Sequence, residues 1–159
     1  MGAVISEIGA ADLNWVHALN RAHETELSPL SPEEMRAHLS GATYARQAEG
    51  GAFLIAHDET AAYQSPNFLW HKARFDRFLY VDRVATAATH RRRGLAAALY
   101  RDLFAFAEAR GTPRVVAEIN SDPPNPESDA FHAALGFVTV GEAFLADRGK
   151  TVRYIAREF

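Results

Sequence analysis

The chain has 159 residues, 48% apolar and 23% charged, which is ordinary for one globular domain with a sizeable core. Its formal charge of −3 argues against a general nucleic-acid binder, and the absence of cysteine excludes disulfides, thiolate metal sites and a cysteine nucleophile. No apolar run approaches the roughly 20 residues of a membrane span, and the N-terminus lacks the charged and apolar blocks of a secretory signal. The expectation is a single cytoplasmic domain over residues 1–159, with neither membrane nor nucleic acid as partner.

Residues 4–8 read as a first strand. Residues 11–22 read as a helix with Leu13, Val16 and Leu19 on one apolar stripe. Residues 24–30 form a loop. Ser31, Pro32, Glu33 and Glu34 then supply a serine cap, a proline in the first turn and a carboxylate three residues on, predicting a helix that runs toward Gln47. Gly50 and Gly51 mark a turn before a strand at residues 52–57. Residues 60–77 crowd Tyr63, Asn67, Phe68, Trp70, His71 and Phe75 around Ser65 and Pro66. Two readings stay open there: a third strand with core aromatics, or a cleft wall formed by the polar tips of Tyr63, Asn67, Trp70 and His71.

Residues 78–86 are rich in β-branched and aromatic residues and predict a strand. Residues 94–110 repeat Leu95, Leu99, Leu103 and Phe106 at helical spacing, and Gly111 and Pro113 stop that helix. Residues 114–119 predict another strand, with Val115, Ala117 and Ile119 alternating against Val116 and Glu118. Residues 120–126 are too rich in proline for anything but a loop. Asn125 and Pro126 open a helix over residues 127–135, and strands at residues 137–140 and 151–157 close the sheet.

The informative junction is Arg91, Arg92, Arg93, Gly94, Leu95, Ala96, between a strand and the long helix. The first amides of a helix lack intrahelical partners and sit at the positive end of its dipole, so small residues there leave room for an anion, above all a phosphate. Neither a P-loop nor a G-x-G-x-x-G sequence is present. Arg91, Gly94 and Ala96 instead resemble the [Q/R]-x-x-G-x-[G/A] pyrophosphate loop of the GNAT acyltransferases. A second resemblance follows: Asn125, Ser128, Phe131, Leu135, Gly136 and Phe137 match the family's N-x-x-A-x-x-F-Y-x-x-L-G-F, with His132 where the tyrosine stands.

The resemblance implies an α/β (α+β) fold: a mixed sheet of six to seven strands, about four flanking helices, and two neighbouring parallel strands that splay at the cofactor site. It implies acetyl-CoA as co-substrate and acetyl transfer by direct attack of a primary amine, on a small molecule or a protein. The pantetheine arm would lie along Val84, Ala85 and Thr86, and the pyrophosphate on the amides around Arg92, Arg93, Gly94, Leu95, Ala96 and Ala97, beside Arg91. Asn125, Ser128 and Phe131 would contact the far side.

Asp82 stands where many relatives carry a general base, and Glu118 is the second choice; for Asp82 a plain ion pair with Arg83 is the competing reading. His132 is the candidate acid for the leaving thiolate, against a purely structural histidine. No metal is expected, because the seven histidines are dispersed without paired ligand spacing. The departure at His132 leaves open a catalytically inactive CoA-binding sensor or scaffold of the same fold. An RNA-binding module is a third reading, against which the acidic balance counts. The acceptor's identity is not spelled by the loops, and an exposed last strand would allow two copies to pair as a homodimer.

Overall fold

The computed structural model describes residues 2–24, 27–122 and 124–159. One seven-stranded sheet runs in the order β1-β2-β3-β4-β5-β7-β6. The strands are β1 (Ile5–Glu7), β2 (Tyr44–Ala48), β3 (Ala52–Asp58), β4 (Leu79–Thr86), β5 (Arg114–Asp122), β6 (Val138–Leu145) and β7 (Lys150–Glu158). The helices are α1 (Leu13–Ala22), α2 (Pro32–Ser40), α3 (Pro66–Lys72), α4 (Leu95–Ala109) and α5 (Pro126–Ala134). Only β4 and β5 pair in parallel; the other neighbours are antiparallel.

Alternation along the strands separates two cores. Leu54, Ala56, Leu79, Val81, Val115, Ala117 and Ile119 face α4, whose Leu95, Leu99, Leu103 and Ala107 are buried against them. Each such leucine stabilises the fold by about 1.5–3 kcal/mol. The opposite face turns Phe53, Ile55 and Ala85 toward Val16 and Leu19 of α1 and Met35 of α2, and Tyr80 and Val116 toward Phe68 of α3.

Three sequence expectations are corrected. The helix opened by Ser31 has the expected capping box, but it ends at Ser40 instead of running toward Gln47. Residues 44–48 form β2 because Tyr44 buries its ring on α4 and donates its hydroxyl to Asp102 (2.7 Å), a contact available only to a strand laid beside β3. Residues 60–77 hold no strand: Ser65 and Pro66 begin α3, which buries Asn67, Phe68 and His71. The last strand, β7, is enclosed between β5 and β6, so the sheet's edge strands are β1 and β6. Smaller differences lie in β5, which continues to Asp122 where a loop was expected from residue 120, and in β6, which extends to Leu145.

Candidate active site

The parallel strands β4 and β5 pair only at Leu79 with Val115 and Tyr80 with Val116. Beyond those pairs the strands part, and a cavity of about 280 Å³ opens between them, walled by Val81, Asp82 and Val84 of β4 and by Ala117, Glu118 and Asn120 of β5. Backbone groups that a neighbouring strand would occupy are left facing this gap, where an extended amide-bearing chain can add as a strand does.

At the end of β4 the chain turns into α4 through two left-handed residues, Arg92 (φ 66°) and Gly94 (φ 70°). Gly94 is the N-cap and offers no side-chain cap, so the first amides of α4 stay free. A second cavity of about 450 Å³ lies over them, lined by Thr86, His90, Arg91, Arg92, Gly94, Leu95, Ala96, Ala97, Glu127 and Phe131. Free amides, the helix dipole and two arginines give this cavity the chemistry to hold an anion such as a phosphate.

Two carboxylates reach the first cavity in different settings. Asp82 is the extra residue of a β-bulge: Ile55 pairs with Arg83 and Ala56 with Val81, so Asp82 has no partner on β3. Its side chain, 5% exposed, accepts from the Tyr63 hydroxyl (2.8 Å) and Arg83 Nε (3.1 Å), and it also bonds His38. Burial works to raise this carboxyl, yet His38, Arg83 and Tyr63 hold it below the ordinary range. Glu118 accepts from the Tyr80 hydroxyl (2.6 Å) and Asn67 Nδ2 (2.8 Å), both neutral donors. Desolvation pushes it up to about 7 despite those two donors, and the Asp82 charge adds to the rise.

His132, 8% exposed, lies with Tyr100, Asn125 and Ser128 on the cavity wall. Its Nδ1 is 2.8 Å from the Ser128 carbonyl, which can only accept, so Nδ1 carries the proton. Nε2, 2.9 Å from the Tyr100 hydroxyl, therefore accepts from it. Burial lowers the imidazole pKa, which keeps this neutral form at pH 7.

A profile of the acetyltransferase (GNAT) family matches residues 15–137, spanning both the parted strands and the free helix start. The chain belongs to the GNAT acetyltransferase family. Solved structures agree in fold. The ribosomal-protein-S18-alanine N-acetyltransferase of Escherichia coli is 18% identical with a TM-score of 0.73, covering 98% of this chain and 93% of that one. Arabidopsis thaliana NAA60 in complex with acetyl-CoA is 12% identical with a TM-score of 0.76, covering 99% and 98%. Ribosomal-protein-alanine N-acetyltransferase of Brucella melitensis is 19% identical with a TM-score of 0.72, covering 98% and 99%. No curated protein matches the sequence.

Among the GNAT site residues expected from sequence, Val84, Asn125 and Ser128 line the first cavity with Asp82, Glu118 and His132, while Thr86, Arg91, Arg92, Gly94, Leu95, Ala96, Ala97 and Phe131 line the second. Ala85 turns its methyl into the α1 side of the core, and Arg93 is exposed outside both cavities. Tyr63 and Asn67 do reach the cleft, where each donates to a carboxylate. Trp70 does not: it stacks on Tyr154 at 4.0 Å, under the Arg74 guanidinium. His71 is fully buried behind β5, with Nε2 3.2 Å from the Ala117 carbonyl.

Of the loop expected at residues 24–30, Leu27 and Ser28 line the cleft, and Thr25 and Glu26 lie outside the described residues. Sequence reasoning missed Tyr80 and Tyr100, which stand at strand and helix positions that pattern alone assigns to the core. It also missed a meeting of His38, His57 and Asp82, whose ligand atoms all lie within 4.8 Å of one another. Spacing along the chain says nothing about histidines joined by a sheet.

Proposed function

We propose that this chain transfers the acetyl group of acetyl-CoA to a primary amine by direct attack, with Glu118 as the general base. The observation that carries the reading is the parting of β4 and β5 beyond Tyr80, with a desolvated carboxylate on its floor and an uncapped helix start at its end. Bound acetyl-CoA supplies the activated acyl group; the remaining work falls to residues of this chain. The amides of α4 and Arg91 and Arg92 hold the diphosphate, and the open edge of β4 around Val84 to Thr86 holds the pantetheine arm. A β4 amide near Val84 is the donor for the carbonyl oxygen as it gains charge.

The amine binds along the wall formed by Leu27, Ser28 and Tyr63. Its nitrogen bonds the carbonyl carbon, the carbon–sulfur bond breaks, and the amine proton passes to Glu118 directly or through one water. Neutralising a lysine side chain at pH 7 costs about 4.6 kcal/mol, and an α-amine about 1.4 kcal/mol. A base poised near 7 suits the second task better, which favours an α-amino group as acceptor. The names of two fold neighbours, alanine N-acetyltransferases of ribosomal proteins, agree with that class.

Asp82 is the weaker candidate, since both its oxygens are already engaged by Tyr63, Arg83 and His38. The thiolate leaves past Tyr100, whose hydroxyl can turn from His132 Nε2 to give the sulfur its proton, while His132, its own proton held by the Ser128 carbonyl, presents none. The test is CoA release on a panel of α-amines, small amines and peptides. Turnover on at least one amine class, reduced about 100-fold or more in Glu118→Gln, is the expected result. Stabilisation by acetyl-CoA without turnover on any amine would overturn the reading.

A further inference from the structure

We propose that His38, His57 and Asp82 form a divalent transition-metal site of the zinc class beside the acceptor cleft. The three come from α2, β3 and the β4 bulge. His38 Nε2 bonds Asp82 Oδ2, while His57 Nε2 lies 3.2 Å from His38 Nε2 and 3.9 Å from Asp82 Oδ2. Three lone-pair-bearing atoms thus converge on one point.

Counting protons shows why a proton serves this cluster poorly. A neutral imidazole has one N–H and one lone pair. If His38 Nε2 donates to Asp82, His57 Nε2 faces a nitrogen that already carries hydrogen, so its own proton must sit on Nδ1. That Nδ1 is buried and makes no well-formed hydrogen bond, its one backbone neighbour of the accepting kind being Gly41. With the proton moved to Nε2 instead, two N–H groups oppose each other, and the carboxylate at 3.9 Å is beyond hydrogen-bond reach. Neither tautomer gives both ring nitrogens of His57 a well-formed hydrogen bond.

A metal ion accepts all three lone pairs at once. Zinc holds imidazole nitrogens at about 2.0–2.1 Å, which puts two of them roughly 3.3 Å apart in a tetrahedron, close to the separation between His38 and His57. The His38–Asp82 contact opens on insertion. Two imidazoles and one carboxylate suit zinc by donor type, and three protein ligands leave a fourth position for water or substrate. Asp82 and Tyr63 line the cavity, which puts the cluster at its edge, with His38 and His57 behind Asp82.

An outer shell is in place: the Tyr63 hydroxyl donates to Asp82 Oδ1 (2.8 Å), and Arg83 Nε to Oδ2 (3.1 Å). Arg83 is itself restrained by Asn20 Oδ1 (2.9 Å) and the Ser28 carbonyl (2.5 Å). Its charge opposes a dication, so the affinity is moderate rather than that of a closed structural site. The acetyl-transfer assignment uses the contacts of Asp82 only to set it aside as the base, and zinc uptake and amine turnover are separate readouts, so either proposal can fail without the other.

The test uses the full chain, stripped with a chelator and titrated with zinc chloride by calorimetry in two buffers of different ionisation heat. Binding of a single equivalent, and a rise in melting temperature with zinc concentration, is the expected result. His38→Gln and His57→Gln should each lose that equivalent, and His17→Gln should keep it. An anomalous-scattering map of zinc-soaked crystals of the unsubstituted protein gives an answer even if the variants misfold, with a peak expected between the three side chains. No zinc uptake, a folded His57→Gln protein that keeps the equivalent, or a peak elsewhere overturns the proposal.

Discussion

Replacing Glu118 by glutamine separates what burial does to this carboxyl from what the carboxyl does to an amine. The unfolded chain titrates the group near 4.5 and the folded protein near 7, a gap corresponding to about 3 kcal/mol. The folded state therefore binds this proton more tightly than the unfolded state. Stability from Glu118 is fully present below 4.5 and drains away as pH rises through 7. Glutamine cannot ionise, and its carbonyl can still accept from Tyr80 and Asn67. Glu118→Gln should thus match the parent protein near pH 4.5 and exceed it above pH 8. Because the residue keeps partial contact with the cleft, about 3 kcal/mol is a ceiling and a gain of about 1–2 kcal/mol is expected. Urea unfolding of both proteins at pH 5 and pH 8.5, without acetyl-CoA, measures it. The same variant should lose acetyl transfer at every pH, while the parent's kcat/KM rises with pH up to about 7. A stability difference that is flat with pH, or that favours the parent at pH 8.5, would refute the burial argument. Undiminished turnover would refute the role as base.

His132→Phe removes the acceptor for the Tyr100 hydroxyl; acetyl transfer should slow about 10-fold or more and unfolding should become easier by about 1–3 kcal/mol, read by steady-state kinetics and urea melts. Gly94→Ala puts a Cβ on a residue at φ 70° with no atom within 4 Å of it, so backbone strain alone costs about 1–2 kcal/mol, and the KM for acetyl-CoA should rise while kcat holds. Gly141→Ala sets a Cβ 2.2 Å from Trp70 Cζ2, which must leave its stack on Tyr154; a loss of about 1–3 kcal/mol and a shift in tryptophan fluorescence are expected.

The cofactor side of the fold is legible in the chain because its signals are local. The free amides at the start of α4 belong to consecutive residues, and Gly94 and Ala96 mark them without reference to anything distant. The capping box at Ser31 and the cap at Asn125 are readable for the same reason. Where a segment's fate depends on what it lies against, local signals mislead. Residues 44–48 continue a helical-looking stretch, yet the ladder to β3 and the Tyr44–Asp102 contact make them a strand. Ser65 and Pro66 interrupt a run of aromatics that looks strand-like, and the interruption is itself the start of α3. Trp70 carries the composition of a binding residue, but its ring is spent on Tyr154.

The choice between the two carboxylates shows why the catalytic side resists the same treatment. In sequence, Asp82 is the better base, since it sits on the strand leading into the phosphate loop. In the fold, the insertion at the β4 bulge turns it among Arg83, Tyr63 and two histidines, each of which favours its ionised form or competes for its lone pairs. Glu118 lies one strand away across the gap, where its hydrogen-bond donors are a phenol and an amide, both neutral, and burial outweighs them. Two acids of similar intrinsic strength are thereby driven apart, one held as an anion and one made basic enough to take a proton near neutrality. That divergence depends on where the strands separate. Had β4 and β5 stayed paired past Tyr80, neither carboxylate would face the space into which the thioester and amine must come.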